Sequence, residues 1–479
     1  MLAPWKCDQR VRSWTRWRRW LHAHRSFLCQ FVLINAVCLA TLKGWQSYQL
    51  YNRDLRWNLP PMLSQGLHAF TLSLWRETQR FDPESPRGIV LPLYDDIAYL
   101  GISLILELRR LQVPLPIEIP HCGDLRLEFQ HEILMHDPDV TFYDVCERAA
   151  NASAIDRPLF CADLRQCHSK FRDFNIKVLA LVYSKFQEIM LLDADTLFFK
   201  SPMPLWDSYK YKATGTLFFN DRVSYERSYL AERRPLPNGT IVESIGAIHQ
   251  FLTNFDVTPY QQFKTLHSQP QVVSKDMRGM MNFSFHPSAF LLSSHVWHLR
   301  SGHQMDSSLL LWNKIRQPRA TTILASFISL NGLPKVPSYG DKELYWLACE
   351  LAETAYAFSD YGTGTIGWEI QENSRHEDNV LCGDALQYYP EPIYFTSHVE
   401  KKEGTLLYMN SDNIVEWGRS LRRMYRTAAY RGDLYFGSFT ERGLKHNCPF
   451  DMALVNVTPS EAARLEERQQ LYDIVVAGA

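Results

Sequence analysis

Residues 188–199 read Glu-Ile-Met-Leu-Leu-Asp-Ala-Asp-Thr-Leu-Phe-Phe. An apolar run typical of a buried strand leads directly into two carboxylates, Asp193 and Asp195, two residues apart. Carboxylates at the carboxyl end of a strand are hard oxygen ligands for Mn²⁺ or Mg²⁺, and such an ion can bridge a diphosphate. The alternative interpretation is a surface turn in which Asp merely ends the strand. The apolar residues on both sides and the surrounding α/β pattern favour a site that binds a metal and a diphosphate.

Outward from this stretch, short apolar strands alternate with helical patterns. We predict strands over 88–94, 116–120, 141–144 and 187–192, and helices over 95–111, 124–136 and 174–184. This alternation predicts an α/β fold of the Rossmann-like type, with a mostly parallel central sheet that binds ligands at the carboxyl ends of its strands. A charged surface helix is expected over 459–475.

The charge balance is asymmetric along the chain. Residues 1–25 carry seven bases and one acid, a net of 7 − 1 = +6, whereas the rest carries 51 − 7 = 44 bases and 52 − 1 = 51 acids, a net of −7. The acidity of the larger part argues against nucleic acid as a partner. Residues 26–42 contain no charged residue, and their 17 residues reach the lower limit for a transmembrane helix. We predict a cytosolic basic tail (1–25), a transmembrane signal anchor (26–42) and a stem (43–86) with a helix near 62–80. A cleaved signal peptide and an interfacial or core helix are the alternatives.

This topology would place the rest of the chain on the lumenal side. Three sequons there, at Asn151, Asn238 and Asn282, are candidate glycosylation sites, and a fourth at Asn456 is a poor acceptor because Pro459 follows it. Seven cysteines follow the predicted anchor, so disulfides are expected, and an odd count leaves one thiol for an intermolecular bond that would permit an oligomer. Cys161 and Cys167 are spaced for a short loop staple, although the connectivity stays open.

Several separated blocks within about residues 87–400 resemble the fungal and oomycete type α-1,3-mannosyltransferases. The similar blocks are Gly88-Ile-Val90, Leu115-Pro-Ile-Glu-Ile119, His121-Cys-Gly-Asp124, Phe174-Asn-Ile-Lys177, the stretch 188–195, Gly215-Thr-Leu-Phe-Phe219 with Asp221-Arg222, and Gly340-Asp-Lys-Glu-Leu-Tyr-Trp-Leu347. The resemblance implies a type II Golgi membrane protein with a retaining glycosyltransferase domain of the GT-A fold. It implies Mn²⁺ or Mg²⁺ as cofactor, a nucleotide-sugar donor and a glycan or glycoprotein acceptor.

The resemblance also implies roles for single residues on the donor side. Asp193 would contact the donor or the metal, Asp195 would bind the metal, and Lys177 would approach the donor diphosphate, where a cation offsets negative charge. His398 follows an apolar strand-like run at the place where GT-A enzymes often supply a third metal ligand. A solvated helix lysine and a structural histidine are the alternatives for Lys177 and His398.

The remaining candidates concern the sugars. Asp341 and Glu343 are the catalytic candidates that would face the acceptor or donor sugar, whereas a helix N-cap for Asp341 and a solvated Glu343 are the alternatives. Ser288 is the acceptor-side candidate, but Pro287 and Ala289 beside it depart from the pattern of the family, which puts specificity in doubt.

From the sequence we therefore predict a GT-A domain over 87–405 and a C-terminal extension over 406–479. The predicted function is metal-dependent, retaining transfer of mannose from GDP-mannose to a glycan acceptor in protein glycosylation. A GT-A transferase that uses a UDP-sugar (galactose, glucose or N-acetylglucosamine) and an inactive lumenal glycan-binding scaffold are the alternatives. The predicted location is the Golgi membrane, as a single-pass type II protein with a lumenal catalytic domain.

Overall fold

The structure is a computed structural model. It describes residues 61–154, 157–222, 227–235, 244–263, 283–330, 334–367, 370–372, 379–381, 383–391, 404–419, 423–429 and 453–478. The chain divides into a large unit, residues 66–236 and 240–479, and a small unit, residues 1–65 and 237–239. Of the small unit only residues 61–65 are described, and they begin helix α1 (Pro61–Thr78). All that follows concerns the large unit.

A six-stranded sheet forms the centre of this unit, in the order β3-β2-β1-β6-β11-β8. Its strands are β1 (Arg87–Val90), β2 (Ile117–His121), β3 (Val140–Asp144), β6 (Glu188–Leu192), β8 (Thr216–Asn220) and β11 (Met305–Asn313). Strands β3, β2, β1 and β6 are parallel, whereas β11 runs antiparallel to both of its neighbours. The predicted α/β fold is thereby confirmed, with a mixed sheet in which the four strands expected from the sequence form the parallel part.

Helices connect and cover these strands. They are α2 (Ala98–Arg110), α3 (Leu127–His136), α4 (Val145–Asn151), α5 (Leu164–Phe171), α6 (Ile176–Tyr183), α7 (Tyr209–Thr214), α8 (Ala247–Asn254), α9 (Ala289–Ser293), α10 (Pro318–Phe327) and α11 (Leu344–Leu351). In α2 the apolar residues Ile102, Ile105 and Leu108 recur at helical spacing and are fully buried. Pro318 opens α10, where its fixed φ suits the first helical turn.

The order of the strands creates a switch point at β1. The chain leaves β1 towards β2 on one side, and later places β6 on the other side, with Val90 beside Leu191. Because successive connections diverge here, the carboxyl ends of β1 and β6 border a crevice of the kind that binds ligands in parallel sheets. Asp193 follows β6 directly, so the fold places the two-carboxylate stretch at this edge.

A second six-stranded sheet begins immediately after that stretch. Its order is β18-β17-β12-β15-β16-β7, and every described pairing in it is antiparallel. Its strands are β7 (Thr196–Phe198), β12 (Gly364–Gly367), β15 (Asp384–Tyr388), β16 (Leu406–Asn410), β17 (Tyr425–Thr427) and β18 (Leu454–Asn456). The segment Asp193–Thr196 therefore links the two sheets. Three short hairpins complete the strands: β4 (Ser153–Ala154) with β5 (Arg157–Pro158), β9 (Arg233–Pro235) with β10 (Ser244–Gly246), and β13 (Ile370–Glu372) with β14 (Asn379–Leu381).

The predicted boundary at residue 405 does not coincide with a break in the fold. Strand β16 pairs with β7. The short helix α12 (Ile414–Trp417) packs against α13 (Pro459–Gly478), and α13 packs against α2. Leu465, Arg468 and Leu471 of α13 are buried. The helix predicted over 459–475 is present. One side of it is buried and the other is exposed, and residues 406–478 belong to the same unit as the central sheet.

The predicted membrane topology requires correction. In the part of the chain that the structure describes, no helix combines the length and the apolar character needed to cross a membrane. This finding runs against the prediction of a single-pass type II Golgi membrane protein, which we withdraw. The basic tail, the span assigned to residues 26–42 and most of the stem lie outside the described residues.

Two disulfides lie in the parallel half of the molecule. Cys161–Cys167 confirms the predicted loop staple, and Cys122–Cys146 joins the end of β2 to α4. Cys349 is a free thiol, but it is buried in α11 and is therefore not placed to form an intermolecular bond. The other two cysteines of the predicted lumenal part, Cys382 and Cys448, lie outside the described residues.

Candidate active site

The two carboxylates lie in a turn at the end of β6. The backbone N–H of Asp193 donates to the carbonyl of Ser308 at 2.9 Å and extends the ladder between β6 and β11 by one residue. The N–H of Thr196 then donates back to the carbonyl of Asp193 at 3.3 Å. This turn is what brings two carboxylates that are two residues apart to the same edge of the sheet.

Lys177 links this turn to a third carboxylate, that of Asp341. It lies in the first turn of α6, and its Nζ is 2.8 Å from Asp193 Oδ1 and 3.3 Å from Asp341 Oδ2. The same ammonium donates to the carbonyl of Ser307 at 3.3 Å. The structure therefore brings together three residues that the sequence analysis assigned to the donor and sugar sites, although they are separated by up to 164 positions (341 − 177).

Asp341 is held in a fixed position. Its Oδ2 accepts a hydrogen bond from the hydroxyl of Tyr345 at 2.8 Å, and its Oδ1 accepts one from Ser307 Oγ at 3.2 Å. Only 1% of the residue is exposed. These bonds run to side chains and not to the N–H groups of α11, so the N-cap interpretation of Asp341 does not describe the structure. Asp341 is a buried carboxylate directed at Lys177.

The charges in this cluster do not balance. The pKa of Asp193 is raised to about 7: burial is the largest cause, Lys177 opposes the rise, and the carboxylates of Asp195 and Asp341 add to it. Burial lowers the pKa of Lys177, but Asp193 and Asp341 outweigh it and the net shift is upward. Three carboxylates face one ammonium, a formal net charge of 1 − 3 = −2. Such an excess of oxygen ligands and negative charge is suited to a divalent cation.

Asp195 is supported by residues that the sequence analysis missed. Asn410, the last residue of β16, donates from Nδ2 to Asp195 Oδ1 at 2.7 Å, and the N–H of Ser411 donates to the Asp195 carbonyl at 3.1 Å. Burial raises the pKa of Asp195, while Lys177 and Asn410 oppose the rise. Both supporting residues follow the predicted boundary at 405, and their short polar side chains gave no signal in the sequence.

A second missed feature lies beneath the turn. The guanidinium of Arg468, fully buried in α13, donates to the carbonyls of Ala194 at 2.9 Å and Thr196 at 3.1 Å. It also forms an ion pair with Glu107 of α2, which is 1% exposed and accepts the N–H of Phe198 at 2.7 Å. Arg468 thus binds the backbone on both sides of Asp195. A charged residue within a charged helix reads as solvated, so no sequence pattern indicated this contact.

Glu343 lies apart from this cluster in its contacts. Its carboxylate is fully buried and accepts hydrogen bonds from Trp346 Nε1 at 2.6 Å and from the N–H of Gln304 at 3.0 Å. These bonds fix the start of α11 against the strand β11, and among the described residues they direct the Glu343 carboxylate away from Lys177 and the Asp193 turn. Lys342, which lies between Asp341 and Glu343, pairs with the buried Asp221 at 2.6 Å and is therefore not a solvated residue.

Ser288 serves the local structure. It is the N-cap of α9, where its Oγ accepts the N–H of Leu291 at 3.1 Å and donates to Glu350 at 2.8 Å. Its own N–H donates to the same carboxylate at 2.6 Å. The hydroxyl is buried and committed to these bonds, so the structure shows no contact between Ser288 and the cluster, and its role on the acceptor side stays a prediction.

Three of the predicted site residues lie outside the part of the chain that the structure describes. His398, Asn238 and Asn282 lie outside the described residues. Asn151 ends α4 and is exposed, as a glycosylation site requires. Within the described ranges, no group of three or more His, Cys, Asp or Glu side chains is arranged to hold a metal ion. The described part of the chain therefore offers the Asp193–Asp195 turn, with Asp341 behind Lys177, as an incomplete ligand set.

Comparison with known proteins adds to this geometry. The profile of the family described as "Mannosyltransferase putative" matches residues 86–389, which is more than half of the chain. The matched range contains Lys177, the Asp193–Asp195 turn and Asp341, and it ends before Asn410 and Arg468. The predicted site residues that the structure brings together thus lie within the matched range, whereas the candidate His398 follows it.

Individual relatives are fungal. The chain is 25% identical to "Putative alpha-1,3-mannosyltransferase MNN1" of Candida albicans, over 76% of this chain and 43% of that protein. It is 25% identical to "Alpha-1,3-mannosyltransferase MNT2" of Saccharomyces cerevisiae, over 71% of this chain and 54% of that protein. The chain therefore spans about half the length of the curated relatives that it matches.

Among solved structures, the apo form of the bifunctional glycosyltransferase WbbM matches 58% of this chain and 40% of its own, at 11% identity and a TM-score of 0.33, a likeness too low to support an argument. The assignment rests instead on the family profile, which covers most of the parallel half and the cluster built on it. On that ground the chain belongs to the family described as "Mannosyltransferase putative".

Proposed function

We propose that this protein is a metal-dependent glycosyltransferase of the GT-A type that transfers mannose from GDP-mannose to a glycan acceptor. The observation that carries the proposal is the cluster of Asp193, Asp195 and Asp341 around Lys177, at the switch point of a parallel sheet. An excess of two negative charges at such a crevice is suited to a divalent cation and the diphosphate that it binds. Membership of the mannosyltransferase family and the names of the relatives support mannose as the transferred sugar.

The ligand set fits Mn²⁺ or Mg²⁺. Asp193 and Asp195 would hold the ion through carboxylate oxygens, and the Asp193 side chain is 28% exposed, so one face of it is open to a ligand. When bound, the ion offsets the charge that develops on the nucleoside diphosphate as the glycosidic bond breaks. Asn410 orients Asp195 for this role through its hydrogen bond to Oδ1.

The other two residues of the cluster orient the acids and the sugar. Lys177 offsets part of the negative charge of Asp193 and Asp341, because its ammonium lies within 3.3 Å of both carboxylates. Asp341, which Tyr345 and Ser307 hold in place, fixes the position of the Lys177 ammonium, and this pair lies on the side that we assign to the donor sugar. Rigid groups of this kind lower the barrier by positioning the substrate without further reorganisation. We include retention of configuration at the transferred carbon in the proposal, in line with the resemblance noted above.

The test is a donor screen on the full chain with Mn²⁺, in which released nucleotide is measured for a panel of GDP- and UDP-sugars. We expect turnover with GDP-mannose, loss of turnover on chelation, and loss in Asp195→Asn. Asp207→Asn is the matched control, because Asp207 is a highly exposed acid that pairs only with Lys212. The configuration of the product at the new linkage, read by NMR, tests retention.

Two results would overturn the proposal. Turnover with a UDP-sugar and none with GDP-mannose would replace the donor. If no donor is turned over and nucleotide binds equally to the wild type and to Asp195→Asn, the protein is instead a glycan-binding scaffold.

A further inference from the structure

Two large aromatic rings stand half-exposed beside the cluster. Phe174 is 51% exposed and Tyr339 is 47% exposed, and their ring centroids are 5.5 Å apart at an interplanar angle of 46°. The part of an aromatic ring that faces solvent gains no free energy from burial. An exposed pair of rings is therefore typical of a surface that a ligand covers.

The backbone places these rings next to the site. Phe174 lies three residues before Lys177, and Tyr339 lies two residues before Asp341. Between Tyr339 and Asp341, Gly340 adopts a φ of +58°, and a Cβ on it would meet the Phe174 side chain at 2.8 Å. The glycine therefore allows the Phe174 ring to lie directly against the backbone that carries Asp341. The ring pair and the Lys177–Asp341 ion pair are consequently fixed to each other.

The aromatic surface continues away from the cluster. Tyr229 packs edge-on against Tyr339 at 5.6 Å, and the imidazole of His303 lies 4.7 Å from Tyr229. We call Phe174, Tyr339, Tyr229 and His303 the aromatic row. At its far end, His303 Nδ1 is 3.4 Å from Glu343, so the row begins and ends beside buried carboxylates.

We propose that the aromatic row is the platform for the acceptor, a neutral oligosaccharide whose terminal hexopyranose stacks on Phe174 and Tyr339. This inference rests on the proposed function and specifies the second substrate of the same site. The C–H groups on one face of a pyranose are apolar and weakly positive, which suits the negative face of an aromatic ring. A neutral sugar also fits a row that has no lysine or arginine among its four members.

The nucleobase of the donor is the competing occupant, but the fold offers it a different ring. Tyr94, 44% exposed, follows β1 at the carboxyl edge where nucleotides bind in sheets of this topology. The aromatic row lies on the side of Asp341, where the sugar to be transferred meets its acceptor.

The experiment measures how the full chain divides donor sugar between water and an added acceptor, an α-linked mannobiose. Phe174→Ala and Tyr339→Ala are expected to raise the KM for mannobiose by about tenfold, the scale of one lost aromatic contact. Their ratio of transfer to hydrolysis should fall accordingly. Tyr339→Phe keeps the ring and should restore the wild-type ratio. Tyr209→Ala, which removes a tyrosine of equal exposure (48%) elsewhere on the surface, is the matched control.

The outcomes separate this inference from the proposed function. A rise in the KM for the donor, with the KM for mannobiose unchanged, would show that the row binds the nucleotide and would overturn the inference. Unchanged ratios in both alanine variants would also overturn it while leaving the transferase intact. If no donor is turned over, direct titration of mannobiose decides, because binding that is lost in Phe174→Ala but not in Tyr209→Ala supports the platform, and equal binding in both overturns it.

Discussion

Two buried cations contact the turn that carries Asp193 and Asp195, and they do so in different ways. Lys177 contacts side chains, in a cluster where three carboxylates face one ammonium and Asp193 is partly exposed. Arg468 contacts the backbone carbonyls of Ala194 and Thr196, and its one acidic partner, Glu107, is as deeply buried as itself. The first environment has more negative charge than one ammonium balances, and it has an open side. The second is closed, and there Glu107 pairs with Arg464 as well as with Arg468.

This difference separates chemistry from support. A cluster with unbalanced charge stabilises the fold poorly, but it gains stability when a cation binds, which is what a binding site requires. A buried ion pair whose groups are already hydrogen-bonded has no free group to bind a ligand, and it instead fixes the shape of the turn. We therefore expect that the loss of stability caused by substituting Lys177 depends on metal and pH, and that the loss caused by substituting Arg468 depends on neither.

The largest effect should come from Arg468→Met. The substitution leaves the buried Glu107 with only the longer ion pair to Arg464 and removes the donors to the carbonyls of Leu100, Ala194 and Thr196, so the free energy of unfolding should fall by about 3–5 kcal/mol. Urea denaturation measures this loss, and added Mn²⁺ should not change it.

Glu107→Gln provides the matched test of the Arg468 pair. The double variant Glu107→Gln/Arg468→Met removes the stranded charge, so it should be less destabilised than the sum of the two single variants. Additive losses would show that the ion pair has no special part in holding the turn.

Lys177→Met should have a smaller effect that depends on metal. Asp193 and Asp341 lose their counterion, but Asp193 is reached by water, so we expect a loss of about 1–3 kcal/mol. Mn²⁺ should restore part of that loss, because it replaces the missing positive charge. Denaturation with and without Mn²⁺ measures it, and Lys212→Met, at an exposed lysine paired with Asp207, is the control. Equal losses with and without Mn²⁺ would contradict the proposed difference between the two cations.

Asn410→Ala should weaken metal binding with little loss of stability. It removes the donor to Asp195 Oδ1, and the loss of a partner that orients a ligand typically costs about tenfold or more in metal affinity. Titration with Mn²⁺, followed by electron paramagnetic resonance of the free ion, measures the change. The control is Asn413→Ala, at a residue just after β16 for which no side-chain contact to the turn is described. An unchanged affinity would remove Asn410 from the site.

The last expected effect is a pH dependence that belongs to the open cluster. The pKa of Asp193 is raised to about 7 from an ordinary value of 3.8, so between these values the folded state binds more protons than the unfolded state. Without metal, this group should therefore make the protein less stable as pH rises from about 4 to 7. Asp193→Asn should flatten that slope, as should Mn²⁺ for the wild type. A slope that is the same in both proteins would place the titration elsewhere.

The same contrast explains how much the sequence predicted. Lys177, Asp193, Asp195 and Asp341 were found because they lie beside strong local patterns, namely buried strands, a helix start and blocks that resemble a known family. Asn410, Glu107 and Arg468 were not found, because each acts on a partner more than 90 positions away. A polar residue in a helix or at a strand end looks the same in sequence whether water or a distant carbonyl is its partner.

For two predicted site residues, Glu343 and Ser288, the structure shows local contacts that the sequence did not indicate. Glu343 lies two residues after Asp341, and that proximity suggested a shared role, but the start of α11 directs its carboxylate to Trp346. Ser288 matched a family position, but it caps α9. Two residues that are close in sequence can direct their side chains to different partners, and the sequence alone does not show which partner each side chain reaches. The parallel half of the fold was predicted well because β-α alternation is itself a local pattern.

The contact between Arg468 and Ala194 also sets an order of events during synthesis. The two residues are 274 positions apart, so the parallel sheet and the acidic turn leave the ribosome long before the arginine that holds the turn exists. Domains fold progressively from their N-terminal part as the chain emerges, and contacts of such long range form late. A nascent chain truncated before α13 would therefore carry all the acids of the site on an unsupported turn. The turn would then take its supported shape only after residue 468 has been translated.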